Sequence, residues 1–121
     1  MAAGCADPVA PATPTSATPT IRETFSDTLL VLGSNTHQFS VDQVGGVRVT
    51  LTSVEPGAAV GIGVGTPSLG SCSLIDHIDA VAGKTVLLSG TATVPGQYCV
   101  AIYDLGNLVE PAVYTIDVLH S

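Results

Sequence analysis

The chain has 121 residues and a net charge of −7, with three Lys or Arg residues against ten Asp or Glu. This charge repels phosphate backbones and anionic lipid surfaces, which argues against a nucleic-acid-binding role and against docking on an anionic membrane. Apolar residues make up 45% of the chain, but only 4% is aromatic and Trp is absent. The length allows one domain plus an appendage, with a core of Val, Leu, Ile and Ala.

The first 20 residues differ in composition from the rest of the chain. The segment Asp7–Thr20 is rich in Pro, Ala and Thr and has no apolar period. This composition is typical of an extended, polyproline-like tether that contributes nothing to a core. We therefore predict a linker over residues 1–20 and a folded domain over residues 21–121.

Beyond the tether, apolar and polar residues alternate, as at Val47, Val49 and Leu51 with polar residues between them. A period of two is typical of half-buried strands, and Gly-, Pro- and Asn-rich turns separate the segments. No segment has a helical period. The pattern predicts an antiparallel β-sandwich of seven or eight strands, jelly-roll or immunoglobulin-like. The predicted strands lie near residues 23–32, 36–42, 46–54, 58–65, 73–80, 84–92, 97–104 and 112–119.

The run Gly61-Ile62-Gly63-Val64-Gly65 superficially resembles a phosphate-binding loop. No helix and no Lys-Ser/Thr pair follows it, so this interpretation fails. The alternation instead predicts a strand with one face free of side chains. Such a face allows another backbone or sheet to approach closely.

Three cysteines indicate the compartment. Cys72 stands in a Gly-Ser-Cys-Ser segment predicted as a loop, and Cys99 stands inside a predicted strand. We predict a disulfide between them, the alternative being two free thiols. A disulfide requires an oxidising compartment and so predicts an exported protein of the cell envelope or the extracellular space.

Cys5 is the odd cysteine. Ala2-Ala3-Gly4-Cys5 resembles the end of a bacterial lipoprotein signal, in which small residues precede a cysteine that becomes lipidated. The match departs from that pattern at Ala2, where Leu is usual, and no charged or apolar signal region stands before it. Either the signal has been removed or the start is assigned too late. Cys5 is thus a lipidation candidate, and a lipid on it would be the chain's contact with a membrane.

The globular part resembles the bacterial pre-peptidase C-terminal domain family, small β-sandwich modules appended to secreted peptidases and other exported proteins. The likeness rests on the order and spacing of segments 24–29, 37–41, 47–52, 96–104 and 114–118. It implies a free-standing, non-catalytic accessory module. Some collagen-binding relatives carry calcium on clustered acidic residues. Here Glu23 and Asp27 stand apart, so the resemblance implies no calcium site.

Few residues suggest a chemical site. No HExxH or paired CxxC motif is present, and the densest polar group is Asp76, His77 and Asp79. These three are candidates for a cation site. Strand alternation, however, places the two aspartates on opposite faces, which favours a solvated strand edge. His37 shares the parity of Phe39 and is predicted to cap the core.

Two further features of the sequence resemble chemical sites. Asp104 and Glu110 flank a turn; paired carboxylates occur in glycosidases, but here the turn itself explains them. Tyr98 and Tyr114 fall on predicted core faces, which leaves Tyr103 as the aromatic candidate for partner binding.

These observations predict an exported accessory or binding module that is not an enzyme, uses no cofactor, and engages a protein or an extracellular polymer. The main alternative is a structural subunit of an extracellular assembly or filament. Strands with Thr-rich outer faces can pair at their edges, and the N-terminal arm could add to a neighbour's sheet. That alternative includes a homo-oligomer. An enzyme is the third and least favoured class.

Overall fold

A computed structural model of the chain describes residues 19–80 and 85–121. These ranges contain eight strands, all paired antiparallel. No helix in the described ranges is long and apolar enough to cross a membrane. The strands are β1 (Ile21–Leu29), β2 (Ser34–Val41), β3 (Gly45–Glu55), β4 (Val60–Ser68), β5 (Ser71–Ala80), β6 (Val86–Ala92), β7 (Gly96–Asp104) and β8 (Ala112–His120).

The strands form two four-stranded sheets. Sheet A has the order β1-β8-β3-β6, and sheet B has the order β2-β7-β4-β5. Successive strands switch sheets except at the β4–β5 hairpin. In an immunoglobulin fold the first two strands share a sheet, whereas here β1 and β2 lie in different sheets. The predicted β-sandwich is therefore confirmed, and its strand order is that of an eight-stranded jelly roll.

Alternation within the strands builds the core between the sheets. The inward positions of β3 and β8 are buried aliphatic or aromatic residues, while their outward positions are largely polar. The core is aliphatic, as the composition predicts, with a few aromatic rings at its margins. It is formed chiefly by Leu29, Phe39, Val41, Val47, Val49, Leu51, Val60, Ile62, Tyr98, Val100, Ile102, Tyr114, Ile116 and Val118.

The first strand ends earlier than the sequence predicts. Alternation and the apolar run Leu29–Leu32 placed its end at residue 32, but β1 ends at Leu29. The next residues turn instead: the amide of Gly33 donates to the carbonyl of Leu30 at 2.9 Å, and Leu32 has φ of 58°. A leucine in this left-handed conformation ends an extended strand.

The β4–β5 hairpin also differs from the sequence prediction. Thr66 and Pro67, which lie beyond the predicted strand end at residue 65, belong to β4, and the reversal comes at Leu69 and Gly70, both with positive φ. Cys72, predicted in a loop, lies near the start of β5, where it is the register partner of Pro67. The hairpin is therefore longer than predicted and extends the disulfide-bearing strand.

Candidate functional site

The predicted disulfide between Cys72 and Cys99 is present, with a Cα–Cα distance of 5.8 Å. It joins β5 to β7, two strands that lie on opposite sides of β4. Strands two places apart in a flat sheet are roughly 9.5 Å apart. The start of β5 must therefore leave the plane of sheet B and fold over β4.

Glycine on β4 makes this fold-over sterically feasible. A Cβ atom added at Gly65 would lie 1.8 Å from the carbonyl oxygen of Ser73, closer than any real Cβ contact. Leu74 similarly covers Gly63, with its two methyl carbons 2.8 and 2.9 Å from where a Cβ would be. The prediction that the bare glycine face admits a close backbone is confirmed.

Asp104 organises the loops at one end of the sandwich. Its Oδ1 accepts hydrogen bonds from the amides of Gly106, Asn107 and Leu108 at 2.9, 2.9 and 3.2 Å. Its Oδ2 accepts the amide of Leu32 in the β1–β2 loop at 2.8 Å. The bond from Leu32, with those from the other three amides, lowers the pKa of this carboxyl, because all four stabilise the charged form.

The turn role predicted for Asp104 is thus present, and the same carboxylate also joins two loops. The amide of Asp104 donates to the carbonyl of Gly33 at 3.0 Å, a second link between these loops. Asn107 adds a third loop, since its Nδ2 donates to the carbonyl of Ala59 at 3.1 Å. Glu110 is exposed on the same β7–β8 loop.

These fixed loops display apolar side chains to solvent. Leu32 is 79% exposed and Val109 is 91% exposed. Leu32 lies in the β1–β2 loop and donates its amide to Asp104, and Val109 follows Leu108, whose amide Asp104 also accepts. We call this surface the apolar loop end; it consists of Leu30, Val31, Leu32, Leu105, Val109 and Val113, all exposed. Val113 joins the β1 side of the surface because it is the register partner of Thr28.

The apolar loop end has the features of a docking surface. Exposed apolar patches on a soluble protein mark interaction sites when they are contiguous. Loops that a rigid scaffold fixes in place lose little conformational entropy on binding. This surface was not predicted from the sequence. The signal in the sequence is the presence of apolar residues in two turn segments, 30–32 and 105–109, because turn residues are usually polar.

A polar network links the two sheets near this end. The hydroxyl of Tyr114 accepts the Nδ2 hydrogen of Asn35 at 3.0 Å and lies 2.6 Å from Nε2 of His37. Burial lowers the pKa of His37, which favours the neutral ring, and burial raises the pKa of Tyr114. Asn35 donates to the hydroxyl, and the tautomer of His37 sets which atom donates in the bond between Nε2 and the hydroxyl.

This network is structural. Tyr114 is 0% exposed, so its hydroxyl cannot reach a substrate. His37 is half-buried and stacks on Phe25 with ring centroids 4.8 Å apart, which fits its predicted place at the margin of the core. At the other end, Nε2 of the buried His120 lies 2.6 Å from Oε2 of Glu23.

The predicted cation candidates do not converge. Asp76, His77 and Asp79 are exposed on β5, an edge strand of sheet B. Asp76 is the register partner of Val64 and Asp79 that of Gly61, which places the two aspartates on opposite faces, as alternation predicts. Within residues 19–80 and 85–121 no group of three or more His, Cys, Asp or Glu residues could hold a metal ion. Cys5 lies outside the described residues.

Tyr103, the aromatic candidate, is half-buried on the outer face of sheet B. Its ring atoms Cε2, Cζ and Cδ2 lie 2.0, 2.3 and 2.7 Å from where a Cβ of Gly61 would be. The ring therefore occupies the space that a side chain on β4 would fill. Burial, with the charge of Asp79 as the second cause, raises the pKa of this tyrosine.

Comparison with known proteins bears on the fold. No family model matches the chain, and no curated protein matches it. Among solved structures, the chain is similar to PliG of Aeromonas hydrophila, a periplasmic inhibitor of g-type lysozyme. The TM-score is 0.56 at 12% sequence identity, over 81% of this chain and 84% of that one. At this identity the likeness establishes a shared fold.

Proposed function

We propose that this chain is an exported, non-catalytic binding module that docks a protein partner on its apolar loop end. The observation that supports this proposal most is a set of exposed apolar side chains, five on loops joined through the Asp104 carboxylate and the sixth, Val113, near the start of β8. The fold likeness to a periplasmic lysozyme inhibitor supports a protein partner. The disulfide supports export, because it persists in oxidising compartments.

Charge narrows the class of partner. Within residues 30–33, 56–59 and 105–111, the loops that Asp104 and Asn107 join, there is no Lys or Arg, and Glu110 is acidic. Glu55, the last residue of β3, is also acidic and exposed. A surface with an apolar centre and an acidic surround fits a protein whose own contact patch is apolar with a basic rim. A g-type lysozyme is therefore a reasonable first purified probe.

The test compares capture by matched variants. The double variant Leu32→Asp/Val109→Asp places two charges in the apolar loop end, and both side chains are exposed enough that folding is retained. Leu87→Asp is the control, because Leu87 is an exposed apolar residue on a strand of sheet A, away from these loops. We expect a partner held by the parent and by the control, with the double variant weakened roughly 30-fold or more, as at interface hot spots.

The measurement is pull-down from envelope extract of the native host, followed by affinity measurement on the captured protein and on a g-type lysozyme. The proposal fails if the double variant captures the same proteins as the parent with the same affinity. It also fails if the parent captures none. The alternative function, a structural subunit of an extracellular assembly, is tested by light scattering on the full chain and on a chain beginning at Ile21. Assembly that is lost when residues 1–20 are removed would establish it.

We also propose that the module is a lipoprotein of the pre-peptidase C-terminal type, carried on its Pro-rich tether. The supporting observations are the Ala2–Cys5 sequence and the strand pattern described above. In the native host Cys5 is then the lipidated first residue of the mature chain. Intact mass of the native protein tests this: a mature chain that retains Met1–Gly4 would contradict it.

A further inference from the structure

A groove of about 700 Å³ crosses the outer face of sheet B. Its lining comes from β2, from β7 and from the tip of the β4–β5 hairpin, which the disulfide holds over the sheet, and it also includes Asp27 of β1 in sheet A. A volume of this size lies within the range of roughly 300–1,000 Å³ typical of small-ligand sites. The lining shares no residue with the apolar loop end.

Part of the lining is flat and apolar. Tyr103 extends over Gly61, so its ring takes the place of an absent side chain on β4. Leu74 lies over Gly63 in the same way, and both residues line the groove with Ala101. Because positions 61, 63 and 65 of β4 are glycines on this face, no side chain from them stands above the ring. An aromatic ring of this kind offers a stacking surface to the apolar face of a ligand ring.

The rest of the lining is polar and has unused hydrogen-bonding capacity. The hydroxyls of Ser34, Thr36 and Ser71 make no hydrogen bond within the described residues, and neither does that of Tyr103. Asp27 also lines the groove. Its Oδ1 accepts the amide hydrogen of Thr28 at 2.8 Å, and its Oδ2 accepts no hydrogen bond from the described residues. The groove therefore presents several hydroxyl donors and acceptors and a carboxylate acceptor around an aromatic surface.

We propose that this groove binds a neutral saccharide. A sugar ring has an apolar face that stacks on Tyr103 and equatorial hydroxyls that hydrogen-bond to serine, threonine and aspartate side chains. No Lys or Arg lines the groove, while Asp27 does, which disfavours sulfated or carboxylated sugars. The groove is open to solvent, so a saccharide that belongs to a longer glycan can enter it.

The test is binding of a defined panel of neutral oligosaccharides to the full chain. Chitotetraose, cellotetraose and maltotetraose are titrated separately, with binding followed by saturation-transfer NMR and isothermal calorimetry. We expect at least one of them to bind with a Kd of about 1 mM or tighter. Tyr103→Ala should weaken that binding about tenfold or more, whereas Tyr103→Phe, which keeps the ring, should weaken it only a few-fold.

Two further sets of substitutions test whether binding takes place in the groove. Asp27→Asn should weaken binding without altering the groove's shape, and Leu32→Asp/Val109→Asp should leave it unchanged, since that surface is separate. Thermal unfolding confirms that each variant is folded; if Tyr103→Ala is not, Thr36→Arg blocks the groove from the opposite strand instead. Absence of binding by all three oligosaccharides, or equal binding by the parent and the groove variants, would overturn the proposal.

Discussion

Replacing both Cys72 and Cys99 with alanine should lower the free energy of unfolding by about 3–4 kcal/mol. The two residues are 27 positions apart in sequence, so the bond closes a loop of about 28 residues in the unfolded chain. The chain-entropy relation gives about 12 cal/mol/K for such a loop, or about 3.6 kcal/mol at 25 °C. Small domains have total stabilities of about 5–15 kcal/mol, so this is a large fraction.

The assay is urea denaturation of the parent and the double variant, followed by far-UV circular dichroism and analysed by linear extrapolation. In thermal unfolding the same loss should lower Tm by about 15 °C or more in a domain of this size. A reducing agent should destabilise the parent and leave the double variant unaffected. Cys5→Ala serves as the matched control, because it removes a cysteine that is not part of the bond.

Two results would refute this reasoning. A double variant within about 1 kcal/mol of the parent would show that the loop is already constrained in the unfolded state, which the chain-entropy account does not allow for. A Cys5→Ala variant that lost as much stability as the double variant would show that the cysteines pair differently. Mass spectrometry of a non-reduced digest should recover the peptides of Cys72 and Cys99 joined.

Two further outcomes follow from contacts described above. Gly65→Ala should lower the free energy of unfolding by about 1–3 kcal/mol in urea denaturation, because the added Cβ would collide with the Ser73 carbonyl. Gly90→Ala, where no atom lies within 4 Å, should be neutral or slightly stabilising. Equal losses of stability in the two variants would contradict the close approach. Because hydrogen bonds lower the pKa of Asp104, its contribution to stability is present above the ordinary pKa of a carboxyl, about 4, and is lost as pH falls through the lowered value of the folded state. Asp104→Asn should therefore be less stable than the parent at pH 7 and lose less stability on acidification, with Glu110→Gln as the control; parallel pH profiles for Asp104→Asn and the parent would contradict this.

Most strands could be predicted because the information that forms them is local. Residues 47–52 alternate regularly, and the strand predicted over 46–54 is found as Gly45–Glu55, one residue longer at each end. The alternation breaks at Ser53 and Val54, where the register with β8 shifts. Alternation specifies which side chains face the core but not which strands become neighbours. That β3 pairs with β6 on one side and β8 on the other depends on tertiary packing, which no single segment encodes.

The prediction failed where a distant residue determines the backbone. Leu30–Leu32 continues an apolar run, so local pattern extends the strand through it. The turn that ends β1 is fixed by the bond from the Leu32 amide to the carboxylate of Asp104, which lies 72 positions later. The apolar loop end was missed for the same reason, since its residues become neighbours only through that carboxylate.

The fifth strand shows a different limit. Its register with β4 shifts between Val64 and Gly65, so that Gly65 pairs with Leu74 and Val64 with Asp76, leaving Ile75 as an extra residue. A bulge of this kind breaks the period of two, and the sequence of β5 therefore alternates poorly even though the strand is long. Ile75 is exposed as a result. The irregular pattern is the sequence signal of the bulge, which bends the strand where it begins to fold over the sheet.

The glycines of β4 are needed both for the disulfide-bearing hairpin to fold over sheet B and for the shape of the proposed groove. A side chain at Gly65 would push the Ser73 backbone away and separate Cys72 from Cys99, so the fold-over and the disulfide depend on the same absent Cβ. The absence of a Cβ at Gly61 lets the ring of Tyr103 extend over β4. Three alternating glycines lower the intrinsic strand stability of β4, since glycine loses more backbone entropy on folding than any other residue. The disulfide offsets that loss, and the hairpin that it holds over the sheet forms one wall of the groove.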